Sequence, residues 1–387
     1  MSEAKLAQLQ YALAERAAKH LLRQPVTLDN YNGRLITING QQYLNFSGND
    51  YLGLATAPEV LQALAEGATH YGAGSSGSPL VTGQHKVHQQ LCDTLCDWLG
   101  VERALLFSSG FAANQAMLLT LADKQDLLLL DKLSHASLID AALCSKADLK
   151  RFAHNDLNSL SSLLKQQTAG ALQPMVVTEG VFSMDGDSPD LPALLALCQQ
   201  YKAPLLLDDA HGLGVLGPEG SGSATAQGIA INDLFCLMAN FGKALGIGGA
   251  FIAGSKTVID YLEQFGRHYI YSTGLSPALC AAVLKSIELC RSQNWRREQL
   301  QQNISLFRQL AAELPLLVSD TAIQGVVLGD NERALAASKQ LKLAGVWLSA
   351  IRPPTVPAGS ARLRITLSAQ HTAQDIRLLV QQLRQIA

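Results

Sequence analysis

The chain has 387 residues, 48% of them hydrophobic and 16% charged, with a formal net charge of -2. That composition describes an ordinary globular protein with room for one large α/β core and a smaller domain. The near-neutral charge gives no sign of a nucleic-acid or anionic-membrane partner. No uninterrupted apolar run is long enough to span a bilayer, and the N-terminus has no signal-peptide core. The seven cysteines are odd in number and scattered, as expected of reduced core residues in a cytoplasmic protein.

In chain order, residues 4–23 place Leu6, Leu9, Leu13, Ala17 and Leu21 at helical spacing. The pattern predicts an amphipathic helix packed on the body or on a partner subunit, ended by Pro25. Strands are expected at Leu35–Ile38 and Gln42–Phe46, joined by an Asn39-Gly40 hairpin turn. The polar stretch Asn45–Gly53 reads as a loop. Tyr71–Gly83, dense in Gly and Ser, reads as an ordered loop near a ligand, with a flexible linker as the alternative. A helix over Lys86–Leu99 leads to a strand at Ala104–Phe107 and then to Ser109, Gly110 and Phe111. A strand, a small-residue turn and an apolar helix form a phosphate cup from free N–H groups and the helix dipole.

Leu127–Leu130 and Met175–Thr178 are further apolar strands, followed by His135 and Ser183 respectively. His135, just past a strand end, is placed to lie flat on a ring or to act as a turn cap. The run Leu205–Leu207 delivers Asp208, Asp209 and His211 to a glycine-rich turn, and Leu234–Met238 ends just before Asn240 and Lys243. Separately, an Asp after a strand is an ordinary cap and a loop lysine an ordinary solvated charge. Together, a lysine, a carboxylate and a histidine at adjacent strand ends suit a pyridoxal phosphate (PLP) site, with a Schiff-base lysine and an acid for the pyridinium nitrogen. Gly212–Gly217 matches G-x-G-x-x-G, but Pro218, Gly220 and Gly222 break the helix that a dinucleotide site requires. His85 and His88 have no third ligand at metal spacing, so no metal site is expected.

The alternation from Ala104 to Gly254 predicts a mostly parallel sheet with covered faces. After it come a helical segment over about 277–314, broken near Asn294, and a small α+β domain with segments at 325–328, 333–343, 346–351, 362–367 and 373–386. Arg362 and Arg364 share a strand face, suited to a carboxylate or else to a solvated edge. The expected divisions are 1–41, 42–287 and 288–387.

The motifs NFSGNDYLGL, FSSGFAANQA, DKLSHASLIDAA, RFAHND, VVTEGVFSMDGDSPDL, LDDAHGLGVLG, FGKALG, IYSTGLSP and IRPPTVPAGSARLRITL resemble the α-oxoamine synthases, in order over nearly the whole chain. RFAHND, AIRPPTVPAG and the closing strand favour the biotin-pathway branch over the glycine acetyltransferase, 5-aminolevulinate and sphingoid-base branches. The resemblance implies a fold-type-I PLP enzyme, homodimeric, with interfacial active sites. It implies condensation of L-alanine with a pimeloyl thioester of coenzyme A or acyl carrier protein, releasing the thiol and carbon dioxide. Glycine acetyltransferase chemistry is the alternative.

By matching motifs, Lys243 would be the Schiff-base lysine, Asp208 the ring-nitrogen partner and His135 the stacking residue. His211 and Ser183 would lie near the ring hydroxyl, and Ser109, Gly110 and Phe111 near the phosphate, with Thr273 entering from the other subunit. Asn49 and Arg364 would hold the amino-acid carboxylate and Arg23 the acyl chain's far carboxylate, with Thr355 a further substrate-binding residue. This chain has Asn240 where the family usually has threonine, Pro79-Leu80 where it has Gly-His, and Leu21 where it often has arginine.

Overall fold

A computed structural model describes residues 3–167 and 172–386. The expected divisions also cover residues 1–2, 168–171 and 387, which lie outside the described residues. The chain forms two compact units: Met1–Gly48 with Met184–Gly186 and Leu300–Ala387, and Asn49–Ser183 with Asp187–Gln299.

In chain order the first unit opens with α1 (Glu3–Ala18), β1 (Asn30–Tyr31), β2 (Leu35–Ile38) and β3 (Gln41–Asn45). Helix α1 stops at Ala18, short of the expected Pro25, and His20 takes a positive φ of 53° just beyond it. None of its residues is buried, so among the described residues the apolar stripe is left exposed, where its pattern suggested packing on the body or on a partner subunit. The β2–β3 hairpin turns at Asn39 and Gly40 with φ of 51° and 76°, the backbone a two-residue turn with two positive φ angles requires.

The second unit begins with α2 (Pro58–Tyr71) and α3 (Lys86–Leu99). Between them the Gly/Ser-rich segment closes in a π-helical turn at Pro79–Gly83. A Cβ on Gly83 would lie 2.0 Å from the Gly77 carbonyl oxygen, so close backbone approach explains that glycine. His88 accepts the His85 N–H and bonds the Leu275 carbonyl, which gives this histidine pair a helix-capping role.

There follow β4 (Arg103–Phe107), α4 (Gly110–Leu121), β5 (Asp126–Asp131), α5 (Ala136–Cys144), β6 (Asp148–Phe152), α6 (Leu157–Gln167) and β7 (Gln173–Glu179). Then come α7 (Leu191–Gln200), β8 (Leu205–Asp208), α8 (Ser223–Ala226), β9 (Cys236–Asn240), β10 (Ala250–Gly254), α9 (Lys256–Phe265), α10 (Arg267–Ile270) and α11 (Pro277–Ser292). The seven strands lie in the order β4-β10-β9-β8-β7-β5-β6. Only β10 is antiparallel to its neighbours, so the other six point one way and their carboxyl ends share an edge. Leu127–Leu130 are each 0% exposed, which requires cover on both sheet faces and explains an unbroken apolar run in place of alternation. Strands β6 and β10, not singled out in the sequence, complete the sheet. The Gly212–Gly217 segment forms turns and no helix.

The first unit resumes within α12 (Trp295–Leu310) and continues through β11 (Ile323–Gly329), α13 (Asn331–Leu343), β12 (Val346–Trp347), β13 (Ala350–Ile351), β14 (Ala361–Thr366) and α14 (Ala373–Leu383). The expected segment 346–351 is in fact two strands in two sheets: β12 extends β1-β2-β3, and β13 joins β11-β14. Strand β14 is central in its sheet, so its arginines are not edge charges. Both are buried; Arg362 pairs with Asp185, and Arg364 donates to Thr366 Oγ1 at 3.1 Å. Among the described residues no helix is long and apolar enough to cross a membrane.

Candidate active site

The shared edge of carboxyl ends in the second unit holds a cavity of about 210 Å³. Gly110, Phe111, Asn114, His135, Ser137, Glu179, Asp208, Ala210, His211, Met238, Asn240 and Lys243 line it. Seven residues expected from sequence meet there: Gly110, Phe111, His135, Asp208, His211, Asn240 and Lys243.

Asp208 closes β8 and is 4% exposed. Its Oδ2 accepts from Asn114 Nδ2 at 2.7 Å and its Oδ1 from the Ala210 N–H at 2.9 Å, so the carboxylate is fixed in orientation. Asn114 also donates to Ser137 Oγ at 2.9 Å, tying α4 to α5 beneath the cavity. The tight turn after Asp208 depends on Gly212, where a Cβ would lie 2.1 Å from Asp209 Oδ1. Asp209 accepts from Ser223 N at 2.8 Å and Ser223 Oγ at 2.5 Å, and burial lifts its carboxyl to about 7. That side chain braces the turn. His211 is buried, with Nδ1 2.6 Å from the Tyr51 hydroxyl, which also donates to Asn49 Oδ1 at 3.4 Å.

His135 sits exposed at the N-cap of α5 and lines the cavity. Its Nδ1 accepts the Ser137 N–H at 3.3 Å, and its own N–H donates to Glu179 Oε1 at 2.5 Å. Burial lowers its pKa and outweighs the attraction of Asp208. Glu179 ends β7 and is 2% exposed; burial raises its pKa well above the carboxylate range, and Asp208 beside it adds to the rise.

Asn240 ends β9, and its Oδ1 accepts the Gly242 N–H at 3.0 Å, forming the turn that presents Lys243. A Cβ on Gly110 would approach Asn240 Nδ2 to 3.5 Å. The amide thus faces the start of α4 while bracing the lysine turn. Ser109 caps α4, its hydroxyl accepting from the Ala112 N–H at 3.2 Å. Ser183 is buried on the loop after β7, and Thr273 is exposed on a loop whose Gly274 N–H bonds the Gly77 carbonyl at 2.9 Å; neither lines the cavity.

Arg23, Thr355 and Arg364 belong to the first unit. There Arg23 Nη2 donates to Thr355 Oγ1 at 2.7 Å, and Arg352 lies close enough to Arg23 for repulsion to add to burial in lowering its pKa.

Among the cavity residues not singled out in the sequence are Glu179 and Asn114. Each had a faint signal: an acid ending an apolar strand, and a lone amide in an apolar helix.

The residues present fit PLP. A buried carboxylate held by two donors stands ready for a ring N–H, a lysine shares its cavity, and a capped helix start with a closely approaching glycine offers N–H groups to a phosphate. The family model for class I and II aminotransferases matches residues 41–383, and the chain belongs to that family. Proteins named 8-amino-7-oxononanoate synthase are 50% identical in Aeromonas salmonicida, covering 96% of this chain and 93% of that protein, and 49% identical in Vibrio cholerae, covering 98% and 97%. Within the aminotransferase class the chain therefore belongs to the 8-amino-7-oxononanoate synthase family of PLP-dependent enzymes. The solved structure of serine palmitoyltransferase from S. paucimobilis with bound PLP–myriocin aldimine matches with a TM-score of 0.93 and 28% identity over 98% of both chains. An 8-amino-7-oxononanoate synthase from Francisella tularensis matches with a TM-score of 0.77 and 31% identity, over 89% of this chain and 98% of that one.

Proposed function

We propose that this chain condenses L-alanine with a pimeloyl thioester to give 8-amino-7-oxononanoate, free thiol and carbon dioxide. The observation that carries this reading is the single cavity lined by Lys243, Asp208 and His135, in a chain about half identical to proteins of that name. When bound, PLP supplies an electron sink that stabilises a carbanion at the amino-acid Cα.

The chain's own residues do the rest. Lys243 Nζ would hold the cofactor covalently and, when free, would remove the proton at the amino-acid Cα and later return one. Asp208, an anion fixed by Asn114 and Ala210, holds a proton on the ring nitrogen, because a neighbouring negative charge favours the protonated base. His135 covers the ring face. His211 and Ser183 bond the ring hydroxyl, and Tyr51 holds His211 in place. Ser109, Gly110, Phe111 and Asn240 receive the phosphate, with Asn240 replacing a hydroxyl donor by an amide donor. Asn49 and Arg364 orient the amino-acid carboxylate, and Arg23 with Thr355 receives the far end of the acyl chain. Arg23 does so from two residues beyond Leu21.

The working form in this proposal is a cytoplasmic homodimer with Thr273 completing the partner's phosphate site. The exposure of Thr273, Leu80, Val81, Phe111 and Tyr271 supports that assembly, as does an α1 stripe without a buried residue. Light scattering on the purified chain tests it, and a monomer at micromolar concentration refutes it. For the reaction, thiol release is measured with L-alanine plus pimeloyl-CoA and, in parallel, glycine plus acetyl-CoA. Release with the first pair alone is expected. Release with the second pair alone would keep the cofactor chemistry and overturn the substrate.

A further inference from the structure

Glu179 is a buried acid that none of the steps above uses. It ends β7 directly opposite Asp208 at the end of β8: the two residues are register partners in a parallel pair. Such partners project from the same sheet face about 4.8 Å apart. The cavity floor therefore carries two adjacent carboxyl groups, 2% and 4% exposed. Lys243 is the lysine lining that cavity, and one ammonium cannot neutralise two carboxylates.

Two carboxyl groups that share a dry site do not both ionise. Their hydrogen-bond partners decide which one keeps the proton. Asp208 receives two N–H donors, from Asn114 and Ala210, on separate oxygens. Glu179 receives one, the His135 backbone N–H on Oε1. Asp208 and, farther off, Asp131 oppose charge on Glu179, and Lys243 favours it.

We propose that Glu179 is a positioning residue held as a neutral carboxylic acid: it anchors His135 through that residue's backbone and leaves Asp208 as the single anion of the cavity floor. The benefit to the reaction rests on the reading of Asp208 as the ring-nitrogen partner. The charge state does not, so the two fail separately. A second anion beside Asp208 would tie up Lys243 in an ion pair and hinder its release as a base. A neutral carboxyl keeps the His135 anchor without that competition.

The test uses infrared spectroscopy on the full-length cofactor-free protein at about pH 8, above the value near 7 to which burial lifts Asp209. The difference between wild type and Glu179→Gln should contain a protonated-carboxyl C=O band that shifts in D2O. Glutamate labelled with 13C should move the same band in the unmutated chain, which guards against a variant that misfolds. In Asp208→Asn the band should lose intensity to a carboxylate stretch, because the neighbouring charge is gone. A wild-type spectrum showing only ionised glutamate overturns the proposal, and so does a band indifferent to Asp208→Asn. In the loaded enzyme, Glu179→Leu should lower kcat by about tenfold or more and Glu179→Gln should recover most of it, since the amide still accepts the His135 N–H. Equal loss in both variants would mean that the ionised form is required, against the proposal.

Discussion

Two pairs of acids stand along the same edge of the large sheet, and they are handled in opposite ways. Asp131, ending β5, and Asp187 clasp His154, whose Nδ1 and Nε2 lie 2.9 and 2.8 Å from their oxygens. A neutral imidazole has one N–H, so two carboxylate partners require the doubly protonated ring. Burial works against that charge, but the two acids together lift the pKa to about 10. The clasp joins the loop that carries His135 to the loop that carries Ser183, and the ring edge rests on Phe182 at 4.5 Å. At the neighbouring strand ends Asp208 and Glu179 are bonded instead by N–H donors of Asn114, Ala210 and His135, in a cavity that Lys243 also lines. Where structure alone is needed, the acids are neutralised by a fixed partner. In the cavity the charge is left for a ligand to complete.

The sharpest way to break this contrast is at its functional side. Lys243→Ala should abolish thiol release, a loss of about 10³-fold or more, while the thermal midpoint stays close to wild type. A collapse of stability instead would assign the lysine a structural role.

On the structural side, His154→Ala should destabilise by about 3 kcal/mol, since it removes the cation from buried Asp131 and half-buried Asp187; urea denaturation measures it. The same clasp predicts a direction with pH. The folded pKa is raised above the unfolded value of 6.5, so its contribution is complete below about 6.5 and disappears as pH rises through about 10. Alkaline unfolding that is unchanged in the variant would refute the clasp.

His371 in the first unit sharpens the comparison by inverting it. Its ring stacks on Phe46 at 4.2 Å and bonds the Asn45 carbonyl and the Ser368 N–H, and burial pulls its pKa down to about 4. Stability from the neutral ring is therefore present above pH 6.5 and lost as pH falls toward 4, on the order of 3 kcal/mol. His371→Gln should flatten that acid limb, and a limb left as steep would assign it elsewhere. The smallest effect is expected in α1. Leu9→Ser should change the stability of the isolated chain by less than about 0.5 kcal/mol, because Leu9 is 51% exposed.

Much of the site was legible because its chemistry is written in short contiguous stretches. LDDAHGLG sets Asp208 and His211 on one turn after one strand, and NFGKALG places Lys243 on the next, so local chain geometry was enough. Glu179 was not legible as a site residue. It becomes one only through pairing with β8, a contact made across a helix and two loops. Asn114 likewise acquires its role when α4 packs over the end of β8. Strand β6 was missed because DLKRF is mostly polar, as an edge strand is, and β10 because its apolar run sits among the lysine-loop glycines. Arg362 and Arg364 alternated correctly in the sequence, yet only the flanking strands β11 and β13 show them to be central and buried.

By itself the sequence determined most of the strands and helices in order, the turns at which lysine, aspartate and histidines emerge, and the family. These depend on periodicity, glycine placement and residues near one another in the chain. Tertiary structure decided the strand order 4-10-9-8-7-5-6, which acids become neighbours and which gain a cation. Such facts depend on dielectric and distance, and both are set by groups remote in the chain. A carboxyl group has the same chemistry in any sequence. Its charge is settled only when the fold decides what stands beside it.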